Sequence, residues 1–204
     1  IALALKNAGL RVTVAKPVES GLDEHPVGAG DAERLARVAD DRRPLSSISP
    51  YRFHAPVAPT VAAEQEGVTI DPLVVRACLR EALAAGDATV IEGAGGLLLP
   101  LAPGLPLRSL AAAFALPLLV VVADRLGCVN HTLLTLEAAR AAACRVCGLV
   151  LCRTSAADDE SRSTNRTLLG RLTDVPVLFE IPYLSSPKQR EDLAALVQRV
   201  RVPV

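Results

Sequence analysis

Thr89-Val90-Ile91-Glu92-Gly93-Ala94-Gly95-Gly96 is an apolar run that ends on one carboxylate and then on a turn almost free of side chains. A buried strand presents an acid at its mouth in this way. Glycines permit positive φ and let a ligand approach main-chain N–H groups closely. In an open α/β sheet, the carboxyl ends of the strands are where ligands bind. Taken alone, the segment fits equally well an ordinary strand closed by a glycine turn.

Similar apolar runs lie at residues 10–15, 117–123, 147–152 and 176–181. Helical spacing separates them at 31–39, 107–114, 129–143, 159–172 and 189–199, and Asp71-Pro72 opens a further helix to residue 85 with Pro at its first position. A short extended piece is predicted at 97–100, and residues 44–59, rich in Pro and Ser, read as an ordered loop. Strands that are apolar throughout and alternate with helices predict a mainly parallel sheet covered on both faces. The expected fold is therefore α/β, a three-layer αβα sandwich. At 204 residues with no repeat or linker, the chain reads as a single domain spanning 1–204.

Composition narrows the partners. Lys plus Arg equal Asp plus Glu at 22 each, so charge gives no reason to expect nucleic acid or an anionic membrane. Aromatic residues are 2% of the chain, too few for base-stacking platforms. The apolar run 111–123 contains Pro117 and is too short to span a bilayer. A small-molecule partner and a cytoplasmic location fit best. The five cysteines suit reduced, buried thiols, and Cys144 and Cys147, with no second pair to complete a metal site, read as structural. The chain opens on a helical pattern, residues 1–8, closed by Gly9 without a start of its own, so a segment upstream of Ile1 is expected.

Polar groups gather at four strand ends. Lys16-Pro17-Val18-Glu19-Ser20-Gly21 places a lysine where a strand finishes, either as a surface residue or as a holder of phosphate or carboxylate. Glu92 stands at the second. Asp31, after Gly28-Ala29-Gly30, either caps its helix or joins Glu92 around a hard cation such as Mg²⁺. At the third, Gly127-Cys128-Val129-Asn130 opens a helix whose free N–H groups suit an anion, while His131 reads as a packing or hydrogen-bonding residue rather than a base. At the fourth, Glu180-Ile181-Pro182-Tyr183 either walls a flat ring or packs.

The ordered set Lys-Pro-Val-x-Ser-Gly (16–21), Gly-Asp-Ala (30–32), Pro-Tyr-x-Phe-x-x-Pro-x-x-Pro (50–59), Glu-Gly-Ala-Gly-Gly (92–96), Leu-Gly-Cys-Val-Asn-His-Thr-Leu-Leu-Thr (126–135) and Glu-Ile-Pro-Tyr-Leu (180–184) resembles the dethiobiotin synthetase family. Each motif is weak alone, but their order and spacing make the resemblance specific over nearly the whole chain. It implies a deviant P-loop fold, a cytoplasmic homodimer, and ATP-dependent carboxylation of 7,8-diaminopelargonate. In that reaction CO₂ forms a carbamate on one amine, the carbamate attacks the γ-phosphate, and the second amine closes a cyclic urea.

The resemblance also implies roles. Lys16 would clamp the γ-phosphate and carbamate, and Asp31 and Glu92 would hold Mg²⁺. Ser20 would hydrogen-bond the substrate, with the Gly95-Gly96 backbone close to it. Gly127, Cys128, Val129 and Asn130 would receive its distant carboxylate across the dimer interface, and Glu180, Pro182 and Tyr183 would sit near the nucleoside. Two departures stand out. The family's phosphate loop, Gly-Thr-x-Thr-x-Val-Gly-Lys-Thr, is expected with the first strand just before Ile1, and without it these 204 residues would bind ATP weakly. Cys152 replaces an asparagine that reads adenine in many members, which loosens selectivity for ATP. The competing readings are a non-catalytic relative that keeps the fold for binding or dimerisation, and the synthetase domain of a cobalamin-pathway amidotransferase.

Overall fold

A computed structural model of the chain describes residues 1–24, 26–186 and 189. These divide into a first unit, Ile1–Leu107, and a second that begins at Arg108. The first contains α1 (Ala2–Asn7), β1 (Val12–Ala15), β2 (Val18–Glu19), α2 (Asp31–Ala39), α3 (Leu45–Ile48), β3 (Tyr51–Arg52), α4 (Pro59–Gln65), α5 (Pro72–Ala85), β4 (Ala88–Ile91), β5 (Pro100–Ala102) and β6 (Leu105–Pro106). After α6 (Leu107–Ala113) come β7 (Leu118–Ala123), α7 (Cys128–Ala141), β8 (Val146–Cys152), α8 (Arg162–Leu172) and β9 (Val177–Ile181). Among the described residues no helix is long and apolar enough to cross a membrane.

In the first unit β1 pairs in parallel with β4, with Val12 opposite Ala88 and Ala15 opposite Ile91. The two-residue period of β1 serves both faces. Val12 and Val14 pack with Ala2 of α1, Ala32 and Ala39 of α2 and Ile48 of α3, while Ala15 packs with Cys78 and Ala82 of α5. Helices therefore cover this pair on both sides. Asp71 caps α5 by accepting the Leu73 N–H at 2.7 Å. In the second unit β7, β8 and β9 form a parallel sheet in that order, and Val122, Leu149 and Leu151 bury one face against Cys128 and Leu136 of α7 and Leu169 of α8. The α/β class with parallel sheets holds in both units.

Four local expectations change. Residues 44–59 are not a plain loop, since α3 follows Pro44 and Tyr51–Arg52 pairs in parallel with Val18–Glu19. The extended piece expected at 97–100 lies further on, as the antiparallel β5–β6 hairpin turned at Gly104, where φ is +72°. Helix α4, seven residues long, is not among the predicted elements. Strand β7 is only half buried: Val120 and Val122 reach the core, whereas Val121 is 64% exposed. The helix expected at 189–199 lies outside the described residues, apart from Gln189.

Candidate active site

Parallel register builds the centre of the site. Because Ala15 is opposite Ile91, the next residues, Lys16 and Glu92, leave adjacent strands at the same sheet edge, and the Glu92 N–H extends the ladder to Ala15 O at 2.8 Å. The Lys16 side chain is 6% exposed, and a buried ammonium needs partners. Lys16 Nζ donates to Glu92 Oε1 at 2.6 Å and to Gly93 O at 3.1 Å, and it pairs with Asp31 Oδ2 at 3.2 Å. Burial pulls its pKa down, but the charge and hydrogen bond of Glu92, and then those of Asp31, outweigh that and hold it above the ordinary lysine value. The residue is an ammonium at neutral pH.

Asp31 had two readings, and its geometry separates them. It does not cap α2: the N-cap position is Gly30, with no side-chain hydrogen bond, and the Asp31 carboxylate turns to Lys16 instead. The capping acceptor is Glu19, at the end of β2, which takes the N–H groups of Asp31 and Ala32. The pattern of residues near 31 carried no signal for this, because Glu19 reaches the helix through space.

Two carboxylates from different elements, with the Gly93 carbonyl, thus converge on one cation, the Lys16 ammonium. Among the described residues no group of three or more His, Cys, Asp or Glu is placed to hold a metal. A pair of carboxylates is nonetheless the usual protein share for Mg²⁺, whose remaining positions go to phosphate and water. The donor set fits that ion.

The other expected residues fall as follows. Ser20 follows β2, and its hydroxyl donates to Val57 O at 2.9 Å. In the turn after Glu92, Gly95 has a φ of +71°, where a side chain is strained, and a Cβ there would lie 2.4 Å from Leu99 Cδ2, whereas a Cβ on Gly96 would meet open space. The second unit holds the rest. Gly127 is the N-cap of α7 with φ +89°, and Val129 and Asn130 occupy its first turn, where N–H groups face out of the helix. Cys128 is buried, and its N–H donates to Arg125 O at 3.0 Å. His131 is exposed.

The Cys152 thiol, at the end of β8, is pushed above its ordinary pKa by burial and then by the Asp124 charge, so it stays neutral. Glu180 pairs with Arg166 Nη1 at 2.8 Å, and Pro182 and Tyr183 are exposed. The sulfurs of Cys144 and Cys147 donate to different carbonyls, Arg108 O at 3.6 Å and Leu118 O at 3.1 Å.

Comparison with known proteins gives one direction. A family model described as an AAA domain matches residues 1–190. The chain is 43% identical over 180 residues to an ATP-dependent dethiobiotin synthetase BioD of Anaeromyxobacter dehalogenans, covering 88% of this chain and 80% of that protein. It is 37% identical over 206 residues to a protein of the same name from Ralstonia nicotianae, covering 96% and 88% respectively.

Proposed function

The chain belongs to the dethiobiotin synthetase family, and we propose that Lys16, Asp31 and Glu92 form the centre at which it performs that family's reaction. Its activity is ATP-dependent dethiobiotin synthesis, a ligase step of biotin biosynthesis with ATP, CO₂ and 7,8-diaminopelargonate as substrates. A non-catalytic role is not favoured, since the relatives are named as synthetases. We read residues 1–204 as belonging to one synthetase-like domain, of a protein that works in the cytoplasm as a homodimer.

The observation that supports this centre is the convergence of both carboxylates on Lys16 Nζ, at 2.6 and 3.2 Å. Phosphoryl transfer asks a protein for positioning and charge neutralisation more than for covalent chemistry. Lys16, charged at neutral pH and held on a sheet edge, meets the negative charge that grows as the substrate carbamate attacks the γ-phosphate. Glu92 and Asp31 keep the ammonium oriented. Mg²⁺, when bound by Asp31 and Glu92, would neutralise phosphate charge. Gly96, open on its Cβ side, leaves room for the carbamate, and the Ser20 hydroxyl oxygen can accept from the diamine while its O–H donates to Val57 O. Val129 and Asn130 at the start of α7 would take the distant carboxylate, Gly127 serving as the turn that exposes them. Cys152, Glu180, Pro182 and Tyr183 would border the nucleoside.

The test is direct. The full-length protein, given ATP, magnesium, bicarbonate and 7,8-diaminopelargonate, should yield dethiobiotin by mass spectrometry with one phosphate released per ring closed. Phosphate release without the ring product would overturn the assignment.

A further inference from the structure

Asp31 is the first residue of α2, so its carboxylate can face Lys16 only if the start of that helix is held in place. Gly30 cannot do this, having no side chain. The first N–H groups are taken instead by Glu19, whose Oε1 accepts from Asp31 N and, at 3.4 Å, from Ala32 N. A carboxylate there meets the positive end of the helix dipole. Glu19 is 2% exposed, and a carboxylate is rarely so buried unless it is paired. Its Oε2 accepts from Arg52 Nε at 3.2 Å, and Arg52 Nη2 reaches Glu33 Oε1, in the first turn of α2, at 2.6 Å. Gly30 belongs to the same fit: a Cβ there would lie 2.7 Å from Glu33 Oε2 and 2.8 Å from Glu19 Oε1, so the cap has no space for a side chain of its own.

We propose that Glu19 is a positioning residue for the reaction: it caps α2 from the neighbouring strand, with Arg52 as its clamp, and thereby sets the Asp31 carboxylate beside Lys16. It touches no reacting atom. Its effect passes through Asp31, and the proposal rests on the reading of Asp31 as a magnesium ligand. Strand β2 and the start of α2 are thus joined by a charge that neither element would bury for its own stability.

The experiment uses the full-length protein with a non-hydrolysable ATP analogue and measures Mn²⁺ binding by electron paramagnetic resonance, alongside thermal unfolding. The variants are Glu19→Gln, Asp31→Asn and their double. Glu19→Gln keeps the volume and an acceptor oxygen but removes the charge that faces Arg52 and the helix end. We expect it to weaken Mn²⁺ binding roughly tenfold, as loss of an outer-shell partner does. In the Asp31→Asn background the same change should add less than about twofold, because coupled residues are non-additive. Independent effects of the two changes on Mn²⁺ binding would overturn the proposal, as would a lower melting temperature with unchanged Mn²⁺ binding in Glu19→Gln. Unchanged binding in Asp31→Asn would overturn the reading of the site and this inference together. If Glu19→Gln does not fold, Arg52→Met loosens the clamp from a greater distance. It should weaken Mn²⁺ binding in the same direction, and no change would overturn the proposal.

Discussion

At Lys16, burial and charge oppose each other, and the two carboxylates win. The sign of the pH dependence follows. A folded pKa above the ordinary 10.5 means that the stability linked to this ammonium is complete below 10.5 and is lost only as pH climbs through the raised value. Thermal unfolding against pH should show a gap between the natural protein and Lys16→Met that is constant up to that point and closes beyond it; a gap that closes near neutrality would contradict the raised pKa. Lys16→Met keeps the buried stem while removing the charge. Its turnover should fall by about a hundredfold or more. The cost to stability should be small, since Asp31 and Glu92 are 39% and 46% exposed and water can solvate them once the ammonium is gone. The residue types at 16 and 92 were legible as strand-end polar groups because a charged residue closing an apolar run is a local signal. Asp31's partner was not legible, since a first-turn acid looks the same whether it caps or reaches across.

Elements show how isolated strands are completed. β1 has β4 on one edge, and on the other the Val14 N–H gives to Asp41 Oδ2 at 2.9 Å while Val14 O accepts from Arg43 Nη2 at 2.5 Å. A buried ion pair thus stands in for a strand. Asp41 and Arg43 are 3% and 14% exposed at their side chains and meet at 2.7 Å. Burial raises the Asp41 pKa, but the hydrogen bonds from Arg43 and from Val14 N, with the Arg43 charge, bring it below the ordinary 3.8. Its contribution is therefore present above 3.8 and lost as pH falls through the lowered value. Asp41→Asn should cost about 3 kcal/mol in urea unfolding at neutral pH, the price of breaking a buried pair, and the difference should narrow as pH drops below 3.8. The turn after β4 offers a contrasting test. Gly96→Ala places its methyl in open space, so stability should stay within about 0.5 kcal/mol of the natural protein. The KM for 7,8-diaminopelargonate should rise, and an unchanged KM would remove Gly96 from substrate contact.

Across the molecule, stability should follow pairing and burial. β8 lies between β7 and β9, and Leu149, Val150 and Leu151 are almost wholly buried, whereas β2 and β3 pair over two residues each. Hydrogen exchange should find the slowest amides in β8, and faster exchange there than in β2 would refute this ordering. The alternation of apolar strands with helices, the glycine stops and the strand-end motifs were readable without coordinates, because each depends on residues close together in the chain. They sufficed for the α/β class, the parallel pairing and the family. The tertiary structure alone decided that Glu19 rather than Asp31 caps α2, that Asp41 and Arg43 seal the free edge of β1, and that Tyr51–Arg52 pairs with Val18–Glu19. The physical reason is common to all three. A buried polar group takes the partner that folding brings within hydrogen-bond reach, and that partner is selected by strand register and packing rather than by the neighbours it has in sequence.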